Sequence, residues 1–282
     1  MLEIKNLTKS FGKKEVLTDF NYCFNNGIYG ILAPNGAGKT TLLRCITQIY
    51  KEGEKSVFYN NDLLVKNKEF NHIIGYLPQQ FGLFKNLSVF DALILLANFK
   101  GIDKKSSFYN IKDCLEIVNL NSEEKKKVGA LSGGMLRRLG IASALLGDPK
   151  IILLDEPTAG LDPEERIRFK NIISSISKNK TVILSTHIVE DVEALCDEII
   201  IMKKGKLVTS GSCEHIRQSA QNNVFLVPEE VLKGEKIKYS VLGKTFVNDV
   251  ACVRILSTEF AKSEFAISPT VEDGYVCIIE ND

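Results

Sequence analysis

Three short stretches of this chain carry residues whose types and spacing could do chemistry on a phosphate. The first is Ala33-Pro34-Asn35-Gly36-Ala37-Gly38-Lys39-Thr40-Thr41, between an apolar run and a helix-like LLRCITQI. Its glycines let successive backbone N–H groups turn toward one anion, and the helix start behind them adds its dipole. Lys39 offers a mobile positive charge to β- and γ-phosphates, and the Thr40 hydroxyl offers a ligand to Mg²⁺. Ala33 stands where the pattern has its first glycine; if positive φ is needed there, alanine costs about 1 kcal/mol. The second stretch, Leu131-Ser132-Gly133-Gly134-Met135, is another glycine-opened helix start, with Ser132 as its N-cap. The third, Ile151-Ile152-Leu153-Leu154-Asp155-Glu156-Pro157, is an unbroken apolar run ending in two adjacent carboxylates. Such a pair can divide the work of holding a hard cation and orienting or deprotonating a water.

The elements that must position these residues are legible around them. The continuous apolar run at 151–154 reads as a parallel strand covered on both faces, which places ligands at its carboxyl end; 27–32 reads as a strand running into the glycine loop, and 181–187 as another buried strand, ending at His187. Residues 2–8, 15–24, 53–59 and 72–77 read as further strands, with Gly12 and Asn25-Asn26-Gly27 at turns. Residues 82–128 are mostly helical, with Ser88 as a cap, and the apolar spacing from Leu136 to Leu146 predicts a helix stopped at Asp148-Pro149. On that helix Arg137 and Arg138 read as a solvated face. Asp162 before Pro163 reads as a helix cap. After residue 221 the pattern changes to short alternating runs, as in a small half-buried sheet.

LSGGM followed by IILLDEP and then AGLD resembles the signature motif, Walker B strand and D-loop of the ATP-binding cassette (ABC) ATPases, over roughly residues 1–220. The implied fold class is α/β: a P-loop NTPase of the ABC type, with a mixed-sheet core and a helical subdomain at about 82–148. The ATPase domain is expected over 1–221, with a small α+β accessory domain over 222–282. The resemblance implies ATP and Mg²⁺ as cofactors. It implies that Phe11 stacks on adenine, that Ala33 to Thr41 wrap the phosphates, and that Thr40, Gln79 and Asp155 serve the metal. Gln79, favoured over Gln80 by position, would also contact the attacking water. Glu156 would prepare that water, with Lys39 and the switch histidine His187 stabilising charge. Ser132, Gly133, Gly134 and Met135 would bind the γ-phosphate held by a facing subunit, Met135 replacing the usual glutamine. Asp162 would lie in the D-loop at that interface, or serve only as the cap. His72 and His215 have no motif around them and read as ordinary surface or loop residues.

Bulk properties narrow the partners. The 282 residues carry 36 basic and 35 acidic side chains, a net charge of +1, so no basic field points to nucleic acid. No apolar run approaches the roughly eighteen residues of a spanning helix, and the N-terminus lacks a signal-peptide core. Seven scattered cysteines without metal-ligand spacing read as reduced core thiols. The expectation is a cytoplasmic protein, peripheral on the inner face of the cell membrane. The resemblance to ABC ATPases implies a homo- or heterodimer of ATPase subunits that powers separate permease subunits, with Phe81–Leu87 in the part of the family fold that receives them. The C-terminal ending SPTVEDGYVCII resembles export-type (ABC-2-like) systems that move a drug, peptide or similar substrate. The alternatives are a soluble ABC ATPase acting on ribosomes or DNA, and a regulatory module that closes on ATP and hydrolyses poorly. The short helical insert argues against the first, and intact Glu156 and His187 argue against the second.

Overall fold

The computed structural model describes residues 1–67 and 69–281. They divide into two compact units, Met1–Leu207 and the remainder from Val208.

The first unit opens with β1 (Leu2–Phe11), β2 (Lys14–Phe24) and β3 (Gly27–Leu32), then α1 (Lys39–Ile46). The one-turn helix α2 (Gly53–Ser56) precedes β4 (Val57–Tyr59) and β5 (Asp62–Leu63), and the one-turn α3 (Phe70–Ile73) precedes β6 (Ile74–Leu77). Helices α4 (Val89–Phe99), α5 (Lys104–Ile117) and α6 (Gly133–Leu145) follow. Then come β7 (Ile151–Asp155), α7 (Pro163–Ile176), β8 (Thr181–Thr186), α8 (Val189–Leu195) and β9 (Glu198–Lys203). The chain passes from the first unit to the second within β10 (Lys206–Gly211).

Strands β2-β1-β4-β5 make an antiparallel sheet, and a second sheet runs in the order β10-β9-β3-β8-β7-β6. The pairings from β9 through β3, β8 and β7 to β6 are all parallel, so their carboxyl ends share one edge. Every residue of β7 and β8 is buried, as two helix-covered faces require. The expected strand over 53–59 is shorter: Gly53–Ser56 takes a helical turn, and a Cβ on Gly53 would sit 1.9 Å from the Cys45 carbonyl oxygen. Cys45, Cys114, Cys252 and Cys277 are buried thiols, whereas Cys23 is exposed.

The second unit holds α9 (Cys213–Gln218), β11 (Val224–Pro228), the one-turn α10 (Glu229–Leu232), β12 (Ser240–Val247), β13 (Val250–Leu256) and α11 (Val271–Asn281). Its antiparallel sheet has the order β11-β13-β12. Asn248 and Asp249 take φ of 48° and 65°, the left-handed pair that closes a two-residue hairpin, so TFVNDVACVRIL is two strands. The division after Leu207 falls before the boundary expected at 221. The cause is α9, which packs on α11: a Cβ on Gly274 would lie 1.9 Å from the Ile216 carbonyl oxygen.

At the end of α4, Lys100 donates from Nζ to the carbonyls of Leu146 (2.8 Å) and Ile74 (3.3 Å). Burial pushes its pKa down to about 8. Between that value and the ordinary lysine pKa the unfolded chain holds more protons than the native one, so this residue makes stability rise with pH. Wild type should therefore gain on Lys100→Met, by on the order of 2 kcal/mol, between pH 7 and pH 10. Urea midpoints of both proteins at the two pH values check this; parallel midpoints would show that Lys100 titrates normally.

Candidate active site

The carboxyl edge of the parallel strands carries a cleft of about 410 Å³ lined by Phe11, Lys39, Thr40, Gln79 and Glu156 among others, within the size range of small-ligand sites. The loop from β3 to α1 forms its floor. Gly36 and Gly38 take φ of 79° and 107°, and a Cβ on Gly38 would meet the Val16 carbonyl oxygen at 2.8 Å. Both positions therefore need glycine. Ala33 is buried without positive φ, so its replacement of a glycine carries no backbone penalty.

Lys39 is 6% exposed, and its Nζ donates to the Ala33 carbonyl at 2.7 Å while pairing with Glu156 Oε1 at 3.3 Å. The other carboxylate oxygen of Glu156 lies 2.9 Å from His187 Nδ1. Lys39, Glu156 and His187 thus form a chain of contacts over the phosphate loop, although they are far apart in sequence. Glu156 itself has φ 47°, a left-handed backbone that costs a non-glycine residue about 1 kcal/mol or more. Its N–H is held by the Ser185 carbonyl at 3.0 Å and the Ser185 hydroxyl at 3.2 Å.

Asp155 is fully buried. Its Oδ1 accepts from Thr40 Oγ1 (3.1 Å) and Ser185 Oγ (2.6 Å), while Oδ2 is buried without a hydrogen-bond partner. An orphaned carboxylate oxygen beside a threonine hydroxyl at the phosphate loop is a donor set that fits a small hard cation. Burial, and then the Asp155 charge, push the pKa of the neighbouring Tyr76 phenol up, so it stays protonated.

Of the two adjacent glutamines, Gln79 lines this cleft and Gln80 lines a separate groove with Phe81 and Lys100. Phe11 is 45% exposed, braced by the Tyr50 ring at 5.4 Å and by Lys9 Nζ 4.6 Å from its centroid. Ser132, Gly133, Gly134 and Met135 do not line the cleft, nor does Asp162. Ser132 caps α6 through the Met135 N–H at 3.2 Å, and Asp162 caps α7 through the Glu165 N–H at 2.8 Å. Gly134 is needed for packing, since a Cβ there would lie 2.6 Å from Glu165 Cγ. His72 and His215 are exposed and outside the cleft.

Two residues read as solvated are not. Arg137 is half-buried and donates to five backbone carbonyls at the ends of β6 and β7. Arg138 binds Glu165 at 3.2 Å and the carbonyls of Val118 and Asn119. Ser185 was also missed; its signal was register, because β8 pairs with β7 so that Ser185 stands beside Asp155.

A phosphate loop at a strand-to-helix turn, with a lysine, two strand-end carboxylates and a histidine converging on it, defines a P-loop nucleoside triphosphatase. Over residues 17–159 the sequence matches the family model described as ABC transporter. It is 35% identical over 236 residues to the uncharacterized ABC transporter ATP-binding protein YxlF of Bacillus subtilis (strain 168), covering 83% of this chain and 79% of that one. It is 37% identical over 223 residues to the bacitracin transport ATP-binding protein BcrA of Bacillus licheniformis, covering 77% and 72%. Among solved structures, the dimeric bacterial ABC transporter cassette MJ0796 is 27% identical, with a TM-score of 0.64 over 75% of this chain and 98% of that one. The chain belongs to the ATP-binding proteins of the ABC transporter family, whose cassettes are ATPases.

Proposed function

We propose that this chain is the ATP-hydrolysing subunit of an export-type ABC transporter, peripheral on the cytoplasmic face of the membrane, which drives a separate permease. The observation that carries the hydrolytic reading is the contact chain Lys39–Glu156–His187 over the phosphate loop. In this reading Phe11 stacks on adenine, and Lys39 with the loop N–H groups holds the β- and γ-phosphates. Glu156 takes the proton of a water in line with the γ-phosphate, Gln79 contacts that water, and His187 and Lys39 stabilise the charge that develops. Thr40, Asp155 and Gln79 would hold Mg²⁺, which when bound would neutralise part of the charge of the β- and γ-phosphates.

Ser132 to Met135 lie outside their own chain's cleft, which supports a head-to-tail pair of cassettes in which each signature reaches the other's nucleotide. The D-loop residue Asp162 belongs to the same interface. Export is supported by relatives named for bacitracin transport and, at 32% identity, for Nod factor export. Among the described residues no helix is long and apolar enough to cross a membrane.

A tagged chain, expressed in its own host and extracted with mild detergent, should sediment with membranes and co-purify with a polytopic membrane protein in fixed stoichiometry. Sedimentation with ribosomes or nucleoid, without such a protein, would instead favour the non-transport ABC ATPase.

A further inference from the structure

Arg137 lies on α6, whose sequence spacing gives it no reason to be anything but solvated. Its guanidinium has five N–H donors. They meet five acceptors, all backbone carbonyls: Nε reaches Pro157 at 2.8 Å, one terminal nitrogen reaches Gln79 at 3.0 Å and Pro78 at 3.3 Å, and the other reaches Asp155 at 3.0 Å and Glu156. These carbonyls belong to two separate segments, the loop leaving β6 and the last residue of β7 with the loop that follows it. Among the described residues no carboxylate faces the guanidinium at hydrogen-bond distance, and burial lowers its pKa while the charges of Asp155 and Glu156 oppose that shift. An arginine in such a place remains charged, so a positive group stands behind the strand ends that present Asp155 and Glu156.

The consequence lies in the backbone of Glu156. A left-handed non-glycine residue persists only when its surroundings over-determine it. Ser185 holds the N–H side of Glu156, and Arg137 holds its carbonyl and the carbonyls on either side. The same guanidinium fixes the main chain of Gln79. Helix α6 is itself seated firmly on that loop, because a Cβ on Gly140 would lie 2.5 Å from Leu77 Cδ1 and 3.0 Å from the Phe81 ring.

We propose that Arg137 is a positioning residue for hydrolysis: its five-carbonyl clamp sets the strained backbone of Glu156 and locks it in register with Gln79. The proposal rests on the reading of this cleft as a site of ATP hydrolysis. Lysine cannot replace the clamp, because one ammonium has three donors and no fork.

The test compares wild type, Arg137→Gln, Arg137→Lys, Glu156→Gln and the double variant Arg137→Gln/Glu156→Gln. It measures kcat and KM for Mg-ATP, direct binding of a fluorescent ATP analogue, and thermal midpoints. Both Arg137 variants should lose about 10- to 100-fold in kcat while the affinity for the analogue stays within about threefold, since the clamp touches no lining atom of the phosphate loop. The double variant should turn over no more than about twofold slower than Glu156→Gln alone, because Arg137 acts through Glu156. Unchanged kcat, a parallel loss of affinity and melting temperature, or multiplicative losses in the double variant would each overturn the proposal. If Arg137→Gln does not fold, Arg137→Lys with its own Glu156→Gln double variant carries the same comparison. Failure of wild type itself to hydrolyse ATP would instead overturn the proposed function on which the clamp depends.

Discussion

Glu156→Gln is expected to bind ATP normally and to hydrolyse it about 10²- to 10⁴-fold more slowly than wild type, the contribution of a positioned general base. The substitution keeps the shape of the side chain. Its amide oxygen can still accept from Lys39, and its amide N–H can still reach an unprotonated His187 Nδ1, so both contacts of the carboxylate have a replacement. What is lost is the ability to take a proton from water. A falling kcat with a nearly constant KM is the signature of that loss, since binding in the ground state is preserved. The same variant should accumulate a closed two-chain complex on Mg-ATP, visible as a doubling of mass in size-exclusion light scattering. Wild type, which resolves the complex by turnover, should not accumulate it. A Glu156→Gln protein that turns over within a few-fold of wild type would remove Glu156 from the chemistry. Unchanged mass on Mg-ATP in both proteins would mean that the cassette needs a different partner to complete its site.

Lys39→Ala acts earlier in the cycle. Its ammonium is buried against the Ala33 carbonyl and Glu156, and in the proposed reaction it exchanges the glutamate for β- and γ-phosphate oxygens. Each charge-assisted hydrogen bond contributes about 1.5–3 kcal/mol, so removing two should weaken ATP binding by about 10²- to 10⁴-fold. Wild type should melt at higher temperature with millimolar Mg-ATP, by mass action on the native state, and Lys39→Ala should show almost no such shift. The variant should also lose stability without nucleotide, by about 3 kcal/mol, because the buried Glu156 carboxylate loses its lysine partner. Equal nucleotide-dependent shifts in the two proteins would show that Lys39 does not hold the phosphates.

These two outcomes separate binding from chemistry, and Arg137 then separates chemistry from its support. Lys39 variants should fail to bind, Glu156 variants should bind without turning over, and Arg137 variants should bind and turn over slowly. Lys39 and Glu156 are both 6% exposed at the side chain, so each comparison needs its thermal midpoint alongside. The Lys100 titration supplies a control remote from the cleft, since that residue lines the other groove.

What the sequence by itself determined is everything whose cause is local or contiguous. The phosphate loop is legible because its N–H donors for an anion come from consecutive residues, Gly36 to Thr41, at one turn. Ser88, Ser132 and Asp162 are legible as caps because each accepts from an N–H three residues ahead, and all three do so. β7 is legible because burial on both faces requires an unbroken apolar run, and its end is marked by Asp155, Glu156 and Pro157. Only the tertiary structure decided which distant groups complete the site. Ser185 reaches Asp155 and the Glu156 N–H through the parallel register of two strands. His187 reaches Glu156 only because both follow strands that end at the same edge. Arg137 was misread because helix periodicity assigns a charged residue to water, whereas the neighbours of this one are backbone carbonyls, which have no side-chain signature. The left-handed backbone of Glu156 was hidden for the same reason: nothing in the residue type of a glutamate announces the carbonyl clamp and the serine that hold it there.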